Sequence, residues 1–327
     1  MTDSTKRIVL AADIGGTSIR AAVLSVSDST ISILDSIKFN TKPERGFYSA
    51  MDELARNIIG IAERQQVDLK TTPLGVASAG PISIYEGIYD MSPNLPNWDG
   101  FGVSQYLKSK IGSPTVTAHD GAMAVLAESR IGTHKNKLNL IYLTVSTGIG
   151  AGLMTNGKLV VGHNSGAGEA GHIIINRGGR SCENGCKGCL EGSSSGSAIA
   201  DIAQKKLQYA PNSILSKVDR LITAADVVTA AKRNDPLATE IISDAVNNLS
   251  AGLASLLALF DPEALILGGG VIEGLAPWWT ELLQKTKDTA LPRYKDSLPI
   301  YQTSLSGNAP LIGAAIFAND TNKSRVR

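Results

Sequence analysis

Three cysteines, four histidines and almost no charge imbalance are all that this 327-residue chain has of features that usually announce a function. Each scarcity excludes something. Thirty-one Lys and Arg stand against thirty Asp and Glu, a formal net charge of +1. That leaves no electrostatic footprint for nucleic acid or for an anionic membrane. No apolar run reaches transmembrane length, and the best candidate, Ala251 to Phe260, stops at Asp261-Pro262. Lys6-Arg7 precede an apolar stretch, but Asp13 interrupts it and breaks any signal-peptide core. A cytoplasmic protein with neither membrane nor nucleic-acid partners is the expectation.

Against these absences stand 43% hydrophobic residues, enough for sizeable cores, and 33 glycines that fall in discrete clusters. The length suggests about two domains. Arg7 to Asp13 reads as a buried strand, followed by the turn Ile14-Gly15-Gly16-Thr17 and strands over Ser18 to Val26 and Thr30 to Phe39. Met51, Leu54, Ile58, Ile59 and Ala62 give Arg45 to Arg64 helical periodicity. Strands at Leu74 to Ala79 and Thr115 to Ala118 flank the turn-rich Met91 to Gly100 loop and a helix over Val103 to Ile111. Asp120 can cap a helix from about Gly121 to Ile131.

The pattern then restarts. Strands are expected at Asn139 to Val145, Ala151 to Met154 and Lys158 to Val161, with Ser146 to Gly150 as a glycine turn. Helices follow over Gly192 to Leu207, Ala224 to Lys232 and Pro236 to Leu259, then a buried strand at Ala264 to Leu267. A helix through Trp278-Trp279, a strand near Leu298 to Thr303 and a helix from Ala309 to Ala318 close the chain. LAADIGGTSIRAAVL and LTVSTGIGAGLMTNG are both strand, glycine turn, strand, a weak repeat with one copy per half. It predicts two similar α/β domains facing each other across a cleft.

All three cysteines, Cys182, Cys186 and Cys189, lie within eight residues, and His172 stands ten residues before the first. One imidazole and three thiolates make the four donors that a structural Zn²⁺ site needs. Three unrelated buried thiols, or a disulfide and a spare, are the competing readings. The clustering argues against the first and the intracellular character against the second. Glu169 and Glu191 bracket the segment.

The first glycine turn joins two strands, which excludes the P-loop and dinucleotide-binding readings, since both need a helix after the glycines. Backbone N–H groups at Gly15 and Gly16 and the Thr17 hydroxyl can still hold phosphate oxygens. Asp13, at a strand end, suits hydrated Mg²⁺. An ordinary hairpin fits the same residues. Thr147, Gly148 and Gly150 follow the same logic in the second half, so one nucleotide between the halves is a natural reading. Gly268, Gly269 and Gly270 follow a buried strand where adenosine can approach backbone, or where a helix simply begins. Asp120 can take a proton from a substrate hydroxyl, although on the residues alone a plain N-cap is the favoured reading. His119-Asp120 also matches a phosphohydrolase metal dyad, for which His134, His163 and His172 supply no second motif.

Taken together and in order, DIGGTSIR, SAGP (Ser78 to Pro81), PNLPNW, DGAMAVLAE from Asp120, TGIGAGL, GEAGH, GCLE and LGGGV resemble the ROK family of repressors, open reading frames and sugar kinases. The GEAGH and GCLE pair is the most specific element. The resemblance implies an actin- and hexokinase-type α/β fold of two ribonuclease H-like domains with an active-site cleft between them. It places residues 1–118 with 306–327 in a smaller N-terminal domain, and 119–305 in a larger C-terminal domain carrying the zinc loop. It implies phosphoryl transfer from ATP, with Mg²⁺, to a sugar hydroxyl, most often O6. Asp120 matches the catalytic base. Glu169, His172 and Glu191 match sugar contacts, and Gly80, Ser92, Asn94 and His119 lie where the family places further ones. A homodimer or homotetramer is implied as well.

Three departures from the family pattern stand out. His119 replaces the usual Asn before the base, which puts a simple glucokinase assignment in question. The second cysteine place holds Asn184, so Cys186 is expected to take over and complete a structural zinc site. Ser146 replaces the first glycine of the second turn. The leading expectation is a hexose kinase acting on glucose, with N-acetylmannosamine or N-acetylglucosamine as alternative acceptors. The rival class is a sugar-sensing regulator without kinase activity. Family repressors carry a helix-turn-helix domain before the first glycine turn, and the twelve residues before Asp13 are too few for one.

Overall fold

The computed structural model describes residues 6–27, 30–90, 92 and 94–325. Of the Met91 to Gly100 loop, Met91 and Pro93 therefore lie outside the described residues. In chain order the elements are β1 (Arg7–Ile14), β2 (Ser18–Val26), β3 (Ile31–Asn40), α1 (Phe47–Arg64), β4 (Leu74–Ser78), α2 (Val103–Ile111), β5 (Thr115–His119) and α3 (Asp120–Ile131). The second series is β6 (Leu140–Val145), β7 (Ile149–Thr155), β8 (Lys158–Leu159), α4 (Glu191–Ser194), α5 (Gly196–Lys206), α6 (Ala224–Ala231), α7 (Pro236–Phe260), β9 (Ala264–Gly268), α8 (Gly270–Gly274), α9 (Trp279–Thr289), β10 (Ile300–Gln302) and α10 (Ala309–Arg325).

Two five-stranded sheets organise the chain, ordered β3-β2-β1-β4-β5 and β10-β9-β6-β7-β8. Read from its other end, the second order repeats the first, with a strand-turn-strand followed by later strands on the opposite flank. The weak sequence repeat thus corresponds to a repeated topology. In the first sheet β1 runs antiparallel to β2 and parallel to β4, which is parallel to β5. By contact, the chain divides into two compact units: Met1–Leu140 with Gly152–Gly168 and Ser304–Arg327, and Ile141–Ala151 with Glu169–Thr303.

In the first unit the central strand β1 is buried from Val9 to Ala12, as expected of a strand covered on both faces. Leu54, Ile58, Ile61 and Ala62 recur at helical spacing on α1 and are buried in one cluster with Leu10, Val23 and Trp98. Each buried Leu, Ile or Val among them contributes about 1.5–3 kcal/mol. Helix α10 packs on β1, β4 and α3. A Cβ on Gly75 of β4 would lie 1.9 Å from the Ala314 carbonyl oxygen of α10, and one on Gly313 of α10 would lie 1.8 Å from that of Met123 of α3. These contacts fix the depth at which α3 sits, and α3 begins with Asp120.

In the second unit α7 packs against α4, α5, α6 and α9. It is long and apolar enough to cross a membrane, but 61% of its apolar stretch is buried inside the protein. Asp235 caps it, its carboxylate accepting the Ala238 N–H at 2.9 Å.

The single helix expected over Gly192 to Leu207 is broken. Ser195 is extended (φ −72°, ψ 163°), and its side chain caps α5 by accepting the Ala198 N–H at 3.1 Å. The break turns the first amides of α5 towards the second glycine turn. Sequence periodicity could not show this, because Ser195 caps a helix as readily as it sits inside one.

Candidate active site

Each unit carries one cluster of the residues singled out from sequence. In the first unit, β1 leads through Gly15-Gly16-Thr17 directly into antiparallel β2, so the first turn is a strand-to-strand turn. The Gly15 N–H donates to Ser18 O at 3.0 Å. Thr41, at the end of β3, holds the turn from outside. Its hydroxyl donates to Gly15 O at 2.6 Å and its amide to Thr17 O at 3.0 Å. A Cβ on Gly16 would stand 3.0 Å from Asn94 O and 3.1 Å from Asn94 Cβ, so Asn94 covers that glycine.

Asp13 faces Arg20 across the β1–β2 pair, with Arg20 Nη2 3.6 Å from Asp13 Oδ2. The guanidinium is shared, because it also donates to Asn308 Oδ1 at 2.5 Å and to Gly307 O at 2.6 Å. Asp13 is therefore poorly neutralised. Burial foremost, then the negative charge of Asp120, pushes its carboxyl up to about 7, against the smaller opposing pull of Arg20 and Lys38.

Asp120 is the first residue of α3. Its Oδ1 accepts the Gly121 N–H at 2.6 Å, and the same oxygen is 3.4 Å from His119 Nε2. Among the described residues no donor reaches Oδ2. The His119 ring lies against the Ser78 to Pro81 turn, where a Cβ on Gly80 would come within 2.7 Å of His119 Cδ2. Ser92, which is buried, donates its hydroxyl to Gly80 O at 3.1 Å. Gly80, Ser92, His119 and Asp120 thus form one contiguous group.

In the second unit, the turn between β6 and β7 is held from two sides. The Ser146 N–H donates to Gly148 O at 2.9 Å, while Ser146 O accepts the Gly196 N–H at 2.7 Å. Thr147 O accepts both the amide of Ser197, at 3.1 Å, and its hydroxyl, at 3.0 Å. The N-terminal amides of α5 are spent on this turn rather than on a ligand. The Ile149 N–H, where β7 starts, donates to Glu191 Oε2 at 2.8 Å, and Gly150 follows on β7.

Glu191 belongs to a segment laced to the one that carries His172. Leu190 N donates to Ile173 O at 3.0 Å, and Ile174 bridges Cys189. His172 Nε2 lies 3.8 Å from Glu169 Oε2 and 3.2 Å from Asn184 Nδ2, while its Nδ1 is 3.7 Å from Cys182 Sγ. Glu169, His172 and Glu191 are thus brought together by one set of backbone bonds. Ligand atoms of His172, Cys182 and Cys186 all lie within 4.8 Å of one another. One imidazole and two thiols are donors that suit Zn²⁺. Cys189 stands outside this trio, fully buried, its sulfur accepting the Gly192 N–H at 3.4 Å. Burial pushes its thiol up to about 11. All three cysteines are free thiols.

Beside the turn lies a cavity of about 600 Å³, bounded by Thr147 and Ser197 on one side, Gly270 and Val271 on another, and Ile222, Val228 and Lys232 on α6 and its approach. Of the three consecutive glycines, Gly270 lines this cavity. Gly268 and Gly269 are dictated by packing, since a Cβ on Gly268 would meet the Tyr142 hydroxyl at 2.0 Å and Gly269 adopts φ +99° against Val145 O. Sequence reasoning missed Thr41, Ser197 and the α6 wall. The capping box of Thr223 and Asp226 at the start of α6 was the readable hint of a fixed element there.

Comparison with known proteins identifies the family. The chain is 31% identical over 309 residues to the N-acetylmannosamine kinase of Yersinia pseudotuberculosis, covering 94% of this chain and 97% of that one. It is 26% identical over 310 residues to the glucokinase of Thermotoga maritima, covering 94% and 96%. A ROK family glucokinase from Streptomyces griseus, solved in complex with glucose and AMPPNP, superposes with a TM-score of 0.79 at 27% identity, covering 96% of this chain and all of that one. The ROK family model matches residues 9–321, and the chain belongs to the ROK family.

Proposed function

We propose that this protein is an ATP-dependent sugar kinase that phosphorylates a hexose hydroxyl, O6 of glucose first among the acceptors, with Asp120 as general base. The arrangement of Asp120 carries the reading. Oδ1 is occupied by the Gly121 amide and faced by His119, which leaves Oδ2 to accept the hydroxyl proton as the sugar oxygen attacks phosphorus. Glu169 and Glu191 are acceptors for sugar hydroxyls. His172 orients the same sugar from Nε2 while Nδ1 faces the thiol group. In the first turn the Gly16 amide, since that of Gly15 is bound to Ser18 O, and in the second the Ser146–Gly150 turn receive the phosphates, and the cavity beside α6 receives the nucleoside, its volume being within the usual range for ligand pockets.

Two metals fit residues that are present. The strained Asp13 carboxylate suits a hydrated divalent cation, which would relieve its repulsion with Asp120. Mg²⁺ bound there supplies charge neutralisation to the transferred phosphoryl group. His172, Cys182 and Cys186, with Cys189 as the remaining thiol, would hold a structural Zn²⁺ that fixes the His172 ring.

N-acetylmannosamine is the second acceptor. It is favoured by the 31% identity to a kinase of that name and by His119 at the place where the family pattern has Asn. The decisive experiment is ADP release with Mg-ATP against glucose, mannose, fructose, allose, N-acetylglucosamine and N-acetylmannosamine. Turnover of one of them establishes the kinase and names the acceptor. No turnover with any of them, together with retained sugar binding, would move the reading to a sugar sensor.

A further inference from the structure

We infer that Glu191 couples sugar occupancy to nucleotide affinity: it is a positioning residue for the Ser146–Gly150 turn as well as a sugar contact. The inference rests on the kinase reading above and goes one step beyond it. Glu191 has two carboxylate oxygens with separate tasks. Oε2 accepts the Ile149 N–H at 2.8 Å. Among the described residues nothing donates to Oε1, which is the oxygen left for a sugar hydroxyl.

Ile149 is the residue at which the turn becomes β7. The rest of the turn is held elsewhere, with Ser146 O and Thr147 O both tied to the first amides of α5 at 2.7 and 3.1 Å. Those bonds occupy carbonyls. Among the described residues, the amides of Thr147 and Gly148 donate to nothing, so they are the donors left for phosphate oxygens. Glu191 therefore closes the one end of the turn that α5 does not hold.

A carboxylate that receives a hydroxyl on one oxygen loses freedom to swing, and its other oxygen holds the Ile149 amide more firmly. The turn is then preset for phosphate, and the nucleotide binds at a smaller ordering cost. By reciprocity, bound nucleotide tightens the sugar by the same factor. Glu191 also opens α4, whose end at Ser194 leads into the Ser195 cap of α5, so both anchors of the turn issue from one short stretch of chain.

The test is calorimetric titration of Mg-AMPPNP into the full-length protein, with no sugar and with a saturating concentration of the sugar that is turned over best. In the wild type, sugar should tighten AMPPNP by about five-fold or more. Glu191→Ala removes the acceptor, and should weaken sugar-free AMPPNP binding about ten-fold and abolish the sugar effect. Glu191→Asp keeps the charge but falls a methylene short of Ile149, and should behave as Ala does. Glu191→Gln keeps an oxygen for the amide and should restore sugar-free affinity to within about two-fold of wild type. A role in folding alone would not separate Gln from Asp in this way. Ser197→Ala should weaken AMPPNP by one factor with or without sugar, because its bond to Thr147 O does not involve the sugar. Sugar-free affinities that are equal in wild type and Glu191→Asp overturn the coupling and leave the kinase reading intact. Failure of the wild type to bind AMPPNP at all overturns both.

Discussion

The negative charge of Asp120 holds the carboxyl of Asp13 protonated to a higher pH. After burial it is the largest contributor to an Asp13 pKa of about 7, against an ordinary value of 3.8. Asp13 lies one residue before the end of β1, and Asp120 opens α3 directly after β5, a strand that runs parallel to β1 in the same sheet. An elevated carboxyl pKa means that the native state keeps a proton the unfolded chain has released. Between pH 4 and pH 7 the unfolded chain therefore binds fewer protons, so this group's contribution falls as pH rises and its full penalty is felt above pH 7. The upper bound is roughly 4 kcal/mol. Asp13→Asn should therefore lose less stability than the wild type between pH 5 and pH 8 when both are unfolded with urea in the absence of nucleotide and metal. Parallel pH dependences of the two proteins would show that Asp13 titrates normally.

Asp120→Asn keeps an oxygen for the Gly121 amide and removes the base. The expected result is a fall in turnover of about 10²–10⁴-fold with sugar affinity within a few-fold of wild type. Turnover by rapid ADP assay and affinity by calorimetry separate the two quantities. Matching losses in both would reassign Asp120 from proton acceptor to sugar ligand.

Much of this was legible in the amino-acid sequence, and the parts that were not share one physical cause. Strands β1 and β2 and helices α1 and α2 follow from apolar spacing within a residue or two, because local pattern and burial agree there. Asp120, Glu169, His172 and Glu191 stand in motif segments, which is why they were singled out from the sequence. Thr41 and Ser197 carry no motif. They act through hydroxyl and amide bonds to carbonyls that lie 26 and 50 residues away in the chain, and only the folded chain reveals them. The break at Ser195 was missed for the same reason, since Ser146 O and Thr147 O, the acceptors that reward it, belong to a distant turn. The cysteines show the intermediate case. Their clustering pointed to a metal site, but only the fold separates Cys189, sunk beside the Gly192 amide, from the trio of His172, Cys182 and Cys186.

That trio yields a direct test. Cys182→Ser and Cys186→Ser each remove one donor from a group that already needs a further ligand to reach four. Metal analysis of the purified protein should find about one zinc per chain in the wild type and a small fraction of that in either variant. Sugar affinity should fall alongside, because His172 Nδ1 faces Cys182 and a loosened ring no longer presents Nε2 beside Glu169. Full zinc content in Cys186→Ser would remove Cys186 from the site and leave Asn184 and Cys189 as the residues to examine.

Gly313 offers a test far from any ligand. It lies on α10 where that helix crosses α3, and a Cβ there would stand 1.8 Å from the Met123 carbonyl oxygen and 2.4 Å from its carbon. Backbone atoms cannot rotate aside as a side-chain tip can, so Gly313→Ala must push the helices apart. Overpacking of this kind costs about 1–3 kcal/mol. Met123 is three residues beyond Asp120 on the same short helix, so the displacement reaches the base. The expected variant has a lower unfolding midpoint and a turnover reduced about ten-fold or more, with AMPPNP affinity unchanged, because a misplaced reacting group costs rate before it costs binding. Gly307→Ala, where a Cβ meets nothing nearer than Arg20 Nη2 at 3.9 Å, is the control and should leave both quantities within two-fold, a small effect by the same packing rule. Lowered stability with unaltered turnover in Gly313→Ala would show that α3 absorbs the shift before it reaches Asp120, and that the depth of this helix does not set the position of the base.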